Sequence, residues 1–254
     1  MVASYCNRTY LITHGIIGET MDLSTLLDID KYMLLSLNGS DSLFWDGCML
    51  VYTSMAVWMP LALVLLYVLL KNNNIRDFFL LLVLIAVVAT LTDTISSGIC
   101  KPFFARWRPT NDPMLMYAVD VVNETRGGKY GFTSSHAANS FGIATFIMLL
   151  IRNKALSVSL MTWAAMNAFT RIYLGVHYPG DILAGTIIGI VVGWAVYRLY
   201  VYIQNKKRRS ARRDWISNHY TKSGYLVSDV YLILLFMYAT FIAIPMISFF
   251  TFKY

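Results

Sequence analysis

Apolar runs near residues 48–70, 78–98, 137–152, 155–173, 181–203 and 228–250 dominate this chain and restrict it to folds that a lipid bilayer allows. A hydrocarbon core takes roughly 20 helical residues to cross, and within it every backbone polar group must find its partner inside the segment. Six such runs in 254 residues predict an all-α integral membrane helical bundle of about six transmembrane helices, with no room for a separate soluble domain. Composition agrees: 57% of residues are hydrophobic and 14% charged, far from the balance of a water-soluble domain. The run at 137–152 is short and holds Gly142, so its outer end is expected inside a protein cavity rather than in lipid.

Ahead of these runs, "MDLSTLLDIDKYMLLSLN" opens at Met21 and mixes Leu26, Leu27, Tyr32, Leu34, Leu35 and Leu37 with Asp28, Asp30 and Lys31. This pattern predicts a helix lying in the membrane interface. The chain therefore divides into residues 1–47, a tail with an interfacial amphipathic helix, and a transmembrane domain over 48–254. No basic segment followed by a small-residue cleavage site stands at the N-terminus, so no removable signal peptide is expected. Cys6, Cys48 and Cys100 have no metal-like spacing, and neither a disulfide framework nor a zinc site is expected.

The net charge of +7 would suit a nucleic-acid partner if it were spread over a surface, but it is not. Lys206, Lys207, Arg208, Arg209, Arg212 and Arg213 crowd into one loop, leaving 15 basic residues against 14 acidic ones elsewhere. Such a loop is a topology signal, and no nucleic-acid partner is expected. With it in the cytoplasm, counting crossings puts Lys71–Asp77 and Arg152–Lys154 inside as well. Segments 99–136 and 171–180 then meet on the outside, together with the acidic N-terminal region.

Those two outer segments hold ionisable residues that a simple bundle would not need. In "KPFFARWRPT", Lys101 and Arg108 stand seven positions apart and offer a point charge and a planar fork, a pair suited to phosphate oxygens. Alone they would be snorkelling anchors. Arg106 and Trp107, between them, are expected to face the interface. "GFTSSH" at 131–136 precedes an apolar helix; its hydroxyls suit a helix cap, and a helix N-terminus also attracts anions. In "TRIYLGVHYPGDILAG", Arg171 precedes His177 by six residues and Asp181 follows it by four. A helix starting near Pro179 puts Asp181 in the first turn, within reach of one imidazole nitrogen. That contact leaves the other nitrogen as a nucleophile.

Lys-x6-Arg-Pro, a Ser-rich His motif and Arg-x5-His-x3-Asp, in that order over residues 101–181, resemble the three-part signature of the type 2 phosphatidic acid phosphatase (PAP2) superfamily, in its membrane lipid phosphate phosphatase branch. Two positions depart from the family pattern. Thr133, Ser134, Ser135 and His136 stand where Pro-Ser-Gly-His is usual, and Thr170 precedes Arg171 in place of Ser. Ser135 for Gly is the less neutral change: the loop must reach phosphate in an ordinary backbone conformation, or Ser135 must add a hydroxyl contact.

The resemblance implies a catalytic set of His177, His136 and Asp181. His177 would attack phosphorus and carry a phosphohistidine, held by Asp181, while His136 protonates the leaving oxygen and then activates water. Lys101, Arg108, Arg171, Ser134 and Ser135 would hold the phosphoryl oxygens. No metal or other cofactor is expected, since nearby carboxylates are too few and too scattered for a magnesium cage. The implied partners are a lipid phosphate and membrane lipids: undecaprenyl diphosphate or a lipid A phosphate first, phosphatidic acid or phosphatidylglycerol phosphate next. The implied location is a bacterial inner membrane, with the site on the periplasmic side. An anion-binding transporter or channel is the rival reading, but it has no need of His177, Asp181 and His136 together.

Overall fold

The computed structural model describes residues 22–124, 126–207 and 219–251, and it is helical along the membrane runs. In chain order the helices are α1 (Leu23–Leu37), α2 (Leu43–Thr53), α3 (Met59–Asn72), α4 (Ile75–Asp93), α5 (Lys101–Phe104), α6 (Ser135–Ile151), α7 (Lys154–Tyr173), α8 (Pro179–Lys207) and α9 (Val227–Thr251). A wide π-helical turn, Thr94–Cys100, joins α4 to α5. Among the described residues, four stretches are long and apolar enough to cross a membrane: Met55–Asn72, Ile75–Phe104, Pro179–Gln204 and Val227–Thr251. The expected spans at 137–152 and 155–173 correspond to α6, which is short, and α7, which is less apolar.

The expected span at 48–70 is two pieces. α2 stops at Ser54, a one-turn 3-10 helix follows over Met55–Trp58, and α3 begins at Met59 with Pro60 in its first turn. Proline lacks the N–H that a helix interior needs, and the first turn is where that loss is harmless. The break is filled by aromatic packing: Trp58 donates its indole N–H to the Tyr52 carbonyl at 2.8 Å, and its ring meets Tyr52, Trp163 and Phe241.

α6 is the buried axis of the bundle. Small residues let its neighbours come close, and its most extensive packing is against α8. On α8, Gly185, Gly189 and Gly193 recur every fourth residue; a Cβ there would sit 2.5 Å from the Ser134 carbonyl oxygen, 2.4 Å from that of Ala138 and 2.4 Å from that of Gly142. Only glycine permits this backbone contact, the small-residue packing that replaces hydrophobic drive in a membrane. The seam runs from the membrane interior up to Ser134, so it also sets the height of the α6 N-terminus against α8.

The polar ends of the bundle differ in make-up. At one end Lys71 and Asn72 hold Asp229 at 2.7 and 2.8 Å, Asn73 bonds Tyr225, and Ser223 donates to the Ile151 carbonyl. The basic loop at 206–213 belongs to this end by sequence, but its side chains lie outside the described residues, as does Cys6. At the other end α1 docks on the bundle. Leu34 is fully buried with Val119, Ile172 and Tyr178, while Leu23, Met33 and Tyr32 stay exposed. The helix expected in the interface thus has one face bonded to protein. Asp30, Leu34 and Asn38, spaced four apart, form that face: Asn38 donates to the Asp120 and Tyr173 carbonyls, and Asp30 reaches the N-terminus of α8.

Candidate active site

The N-termini of α6 and α8 and the loop after α5 converge at the α1 end of the bundle. Ser134 caps α6, its hydroxyl accepting the Ala137 N–H, while its own N–H donates to the Asp181 carbonyl at 3.1 Å. Its side chain is buried in the cap, and since a hydroxyl that accepts an N–H keeps its own O–H, it still holds a donor for the phosphate contact expected of it. Ser135 begins the helix with ordinary dihedral angles, so serine in the usual glycine position needs no left-handed backbone. Its hydroxyl meets Lys101 Nζ and the Ser97 hydroxyl, each at 2.7 Å. Ser97 and Lys101 share one face, four residues apart, and Lys101 also donates to Ser97 at 2.9 Å.

Arg108 is set by backbone pairing. The Gly131 N–H donates to the Arg106 carbonyl, the Arg108 N–H to the Lys129 carbonyl, and Trp107 and Tyr130 form an antiparallel bridge. The first motif is thereby tied to the second. The buried guanidinium donates through Nε to the Tyr130 carbonyl and through Nη1 to the Val176 carbonyl, and Nη1 lies 3.1 Å from His177 Nε2.

His177 hangs in the turn between α7 and α8. Gly175, at φ +68°, reverses the chain, and the Arg171 carbonyl accepts both the Val176 and the His177 N–H. The imidazole is 1% exposed, with Nδ1 facing Asp181 Oδ2 at 3.4 Å. An arginine is donor only, so Nε2 must be the lone-pair nitrogen and Nδ1 must carry the proton. Burial first, and then the charges of Arg108, Arg171 and Lys101, push the His177 imidazole well below its usual pKa. It is a neutral base at pH 7, with its free nitrogen aimed at a cation.

Asp181 sits in the first turn of α8, as the position of Pro179 foretells, and also accepts the Tyr178 N–H at 3.1 Å. Arg171 donates Nη1 to the Thr53 hydroxyl at 3.0 Å, and its Nε is buried without a partner. The Thr133 hydroxyl is likewise buried and unpartnered. Burial first, and then the charges of Arg171, His177, Arg108 and Lys101, push the pKa of His136, in the first turn of α6, down to about 3, so without a bound anion it is neutral. The sequence-derived set is thus brought to one place. Three cations surround a neutral imidazole, and among the described residues none of Lys101, Arg108 and Arg171 forms an ion pair. No group of three or more His, Cys, Asp or Glu able to hold a metal occurs among the described residues.

One reading is corrected. Arg106 does not face the interface: Nη1 is 2.9 Å from Asp181 Oδ1, Nη2 is 2.7 Å from Asp30 Oδ2, and the guanidinium stacks 4.0 Å from the centre of the Tyr178 ring. Asp30 and Thr53 were not read as part of the site at all. Asp30 had one sequence signal, its four-residue spacing from Leu34 and Asn38; Thr53 had none.

This arrangement of neutral imidazole, backing carboxylate and uncompensated cations fits transfer of a phosphoryl group. Comparison with known proteins agrees. The PAP2 superfamily model matches residues 78–205. A lipid A 4'-phosphatase of Bacteroides thetaiotaomicron is 43% identical over 173 residues, covering 68% of this chain and 77% of that protein. A second lipid A 4'-phosphatase, from Porphyromonas gingivalis, is 31% identical over 71% of this chain and 77% of its own length. A crystal structure of a transmembrane PAP2-type phosphatidylglycerolphosphate phosphatase from Bacillus subtilis shares the fold, with a TM-score of 0.53 at 18% identity over 73% of this chain and 89% of that one. The chain belongs to the PAP2 superfamily, as a membrane lipid phosphate phosphatase.

Proposed function

We propose that the enzyme removes the 4'-phosphate of lipid A at the outer face of a bacterial inner membrane, by a metal-free route through phosphohistidine at His177. The observation that carries the mechanism is the lone pair of His177 Nε2 held 3.1 Å from Arg108, with Asp181 behind the opposite nitrogen. The substrate rests on the two lipid A 4'-phosphatase relatives.

A phosphoryl group entering between Nε2 and the cations would take its oxygens to Lys101, Arg108 and the unpaired Arg171 Nε, and to the first N–H groups of α6. Nε2 attacks phosphorus as the bond to the leaving oxygen breaks; the charge of the bound phosphate offsets the cations that depress His136, so His136 takes up a proton as the substrate binds and donates it to that oxygen. Asp181 stabilises the positive charge that His177 gains on phosphorylation. His136, now neutral, takes a proton from water, whose oxygen attacks the phosphohistidine and frees inorganic phosphate. The three fixed cations supply the charge neutralisation that magnesium gives other phosphoryl-transfer sites.

Phosphate release by the purified protein in detergent, across lipid A, undecaprenyl diphosphate, phosphatidylglycerol phosphate and phosphatidic acid, tests substrate and mechanism together. Lipid A is expected to be the best substrate, and EDTA to leave the rate largely intact. Preference for another of these lipids would replace the substrate, and activity lost to EDTA and restored by magnesium would replace the mechanism. The outer placement is tested by single cysteines in intact cells: an impermeant reagent should label Asn123→Cys and spare Asn205→Cys, and the reverse pattern would invert the topology.

A further inference from the structure

The N-terminal helix α1 contributes a residue to the active site that no motif contains. Asp30 spans two elements at once: Oδ1 accepts the Gly180 N–H at 2.7 Å, and Oδ2 accepts Arg106 Nη2 at 2.7 Å. The approach to α8 is so close that a Cβ on Gly180 would lie 2.8 Å from Asp30 Oδ2. Arg106 passes its other nitrogen to Asp181 Oδ1 at 2.9 Å, while Asp181 Oδ2 faces the His177 proton and the Tyr178 N–H. The side chains of Arg106 and Asp30 are 20% and 13% exposed, and that of Asp181 is fully enclosed, so these bonds are little diluted by water.

We infer that Asp30 and Arg106 are positioning residues for the reaction: together they fix the rotation of the Asp181 carboxylate, which in turn fixes the imidazole that attacks phosphorus. The inference rests on the reading of His177 as nucleophile. Its logic is that of any carboxylate with two jobs. Asp181 must keep Oδ2 on His177; the Tyr178 N–H holds that oxygen at 3.1 Å, and Arg106 fixes the carboxylate's remaining rotation by holding Oδ1 at 2.9 Å. Arg106 is a long side chain with its own rotamers, and it is held by the Tyr178 ring beneath it and the Asp30 carboxylate beyond it. The relay Asp30–Arg106–Asp181–His177 therefore runs to the reacting nitrogen from a helix whose Asp30 lies 150 residues before the Gly180 it also bonds.

Outer partners that orient a reacting group are typically worth about 10- to 100-fold. With lipid A as substrate, Arg106→Gln should lower kcat by about that factor with KM changed by less than about twofold, since neither residue touches substrate. Arg106→Lys can restore one ion pair but not the fork, and should fall between Arg106→Gln and wild type. Asp30→Asn should cost several-fold, and Asp30→Asn combined with Arg106→Gln should be no slower than Arg106→Gln alone, because both act through one route. Asn38→Ala, on the same helix face but outside the relay, controls for simple loosening of α1. Equal kcat losses in Asn38→Ala and Asp30→Asn, additive losses in the double variant, or a change confined to KM would each overturn the inference. If Arg106→Gln does not fold, Asp30→Asn and Arg106→Lys decide. His177→Ala assayed alongside separates the two ideas: turnover retained there removes the histidine mechanism, whereas a dead His177→Ala beside relay variants of unchanged kcat removes only this inference.

Discussion

The two polar ends of the bundle both carry buried or half-buried cations but pair them in opposite ways. At the end beside residues 219–226, Lys71 is paired with Asp229, which also accepts from Asn72, whose own carbonyl takes the Leu226 N–H at 2.9 Å. Donors there meet acceptors and positive charge meets negative. At the catalytic end, among the described residues, Lys101 hydrogen-bonds only hydroxyls, Arg171 meets one hydroxyl and keeps Nε unpaired, and Arg108 meets carbonyls and a neutral imidazole. Arg106, one position before Trp107, shows that pairing was available: it has carboxylates on both sides. Direct carboxylate contacts thus go to Arg106, which holds Asp181, while Lys101 reaches Asp93 only through the Ser97 hydroxyl and Arg108 feels Asp181 without touching it. A buried cation without a counterion is costly on its own, and the ligand's charge offsets that cost when it binds.

The comparison can be broken by supplying the missing counterion. Thr53→Asp would put a carboxylate where a hydroxyl now meets Arg171 at 3.0 Å. We expect kcat/KM for a lipid phosphate to fall by roughly 10²- to 10³-fold, the scale of losing one transition-state donor, while the melting temperature in detergent holds or rises. Unchanged kcat/KM in a folded Thr53→Asp protein would mean that Arg171 does not hold phosphate.

Charge at this end also sets protonation. His177 is depressed by burial and then by Arg108, Arg171 and Lys101, with His136 and Asp181 as its other ionisable neighbours, so its neutral form survives as pH falls through 6.5. Removing a cation favours the imidazolium and raises that pKa. In Arg108→Gln the acid limb of kcat/KM should therefore move to higher pH, by roughly one unit, once the substrate's own ionisation is subtracted. A limb that stays put or moves down would contradict the assignment of His177.

Structural sites should respond the other way. Gly189→Ala places a methyl 2.4 Å from the Ala138 carbonyl oxygen and must push α8 from α6, for about 1–3 kcal/mol of stability, visible as a lower melting temperature. Its activity should fall less than in Thr53→Asp, because the seam sets the height of the site without touching phosphate. Smallest of all, Asp229→Asn should lower the melting temperature and leave kcat unchanged, since it removes a counterion at the end where no ligand replaces it. Loss of kcat in folded Asp229→Asn would show that the two ends are coupled.

What was legible in the sequence follows from how far apart the interacting residues lie. Lys101, Arg108, His136, Arg171, His177 and Asp181 announce themselves because short motifs with fixed spacing carry them, and Pro179 foretells the turn in which Asp181 sits. The role of Arg106 is invisible in its own motif because it comes from Asp30, 76 residues earlier. The capping role of Ser134 is legible from a hydroxyl placed just ahead of an apolar helix, and its hydroxyl does accept the Ala137 N–H. The seam of Gly185, Gly189 and Gly193 passed unnoticed inside an apolar run, where hydropathy conceals a close-packing pattern. The division of the 48–70 run was readable from Pro60 alone, had the helix-interior cost of proline been weighed against the run's length.

The account turns on which histidine carries phosphate. An aryl phosphate has a leaving group that barely needs a proton, so His136→Ala should still be phosphorylated by it and then stall, the second step being slowed by roughly 10²- to 10⁴-fold. Rapid acid-free quench followed by peptide mass spectrometry should find phosphate on His177 in His136→Ala and none in His177→Ala, which should be inactive. Phosphate on His136, or wild-type turnover in His177→Ala, would contradict the mechanism.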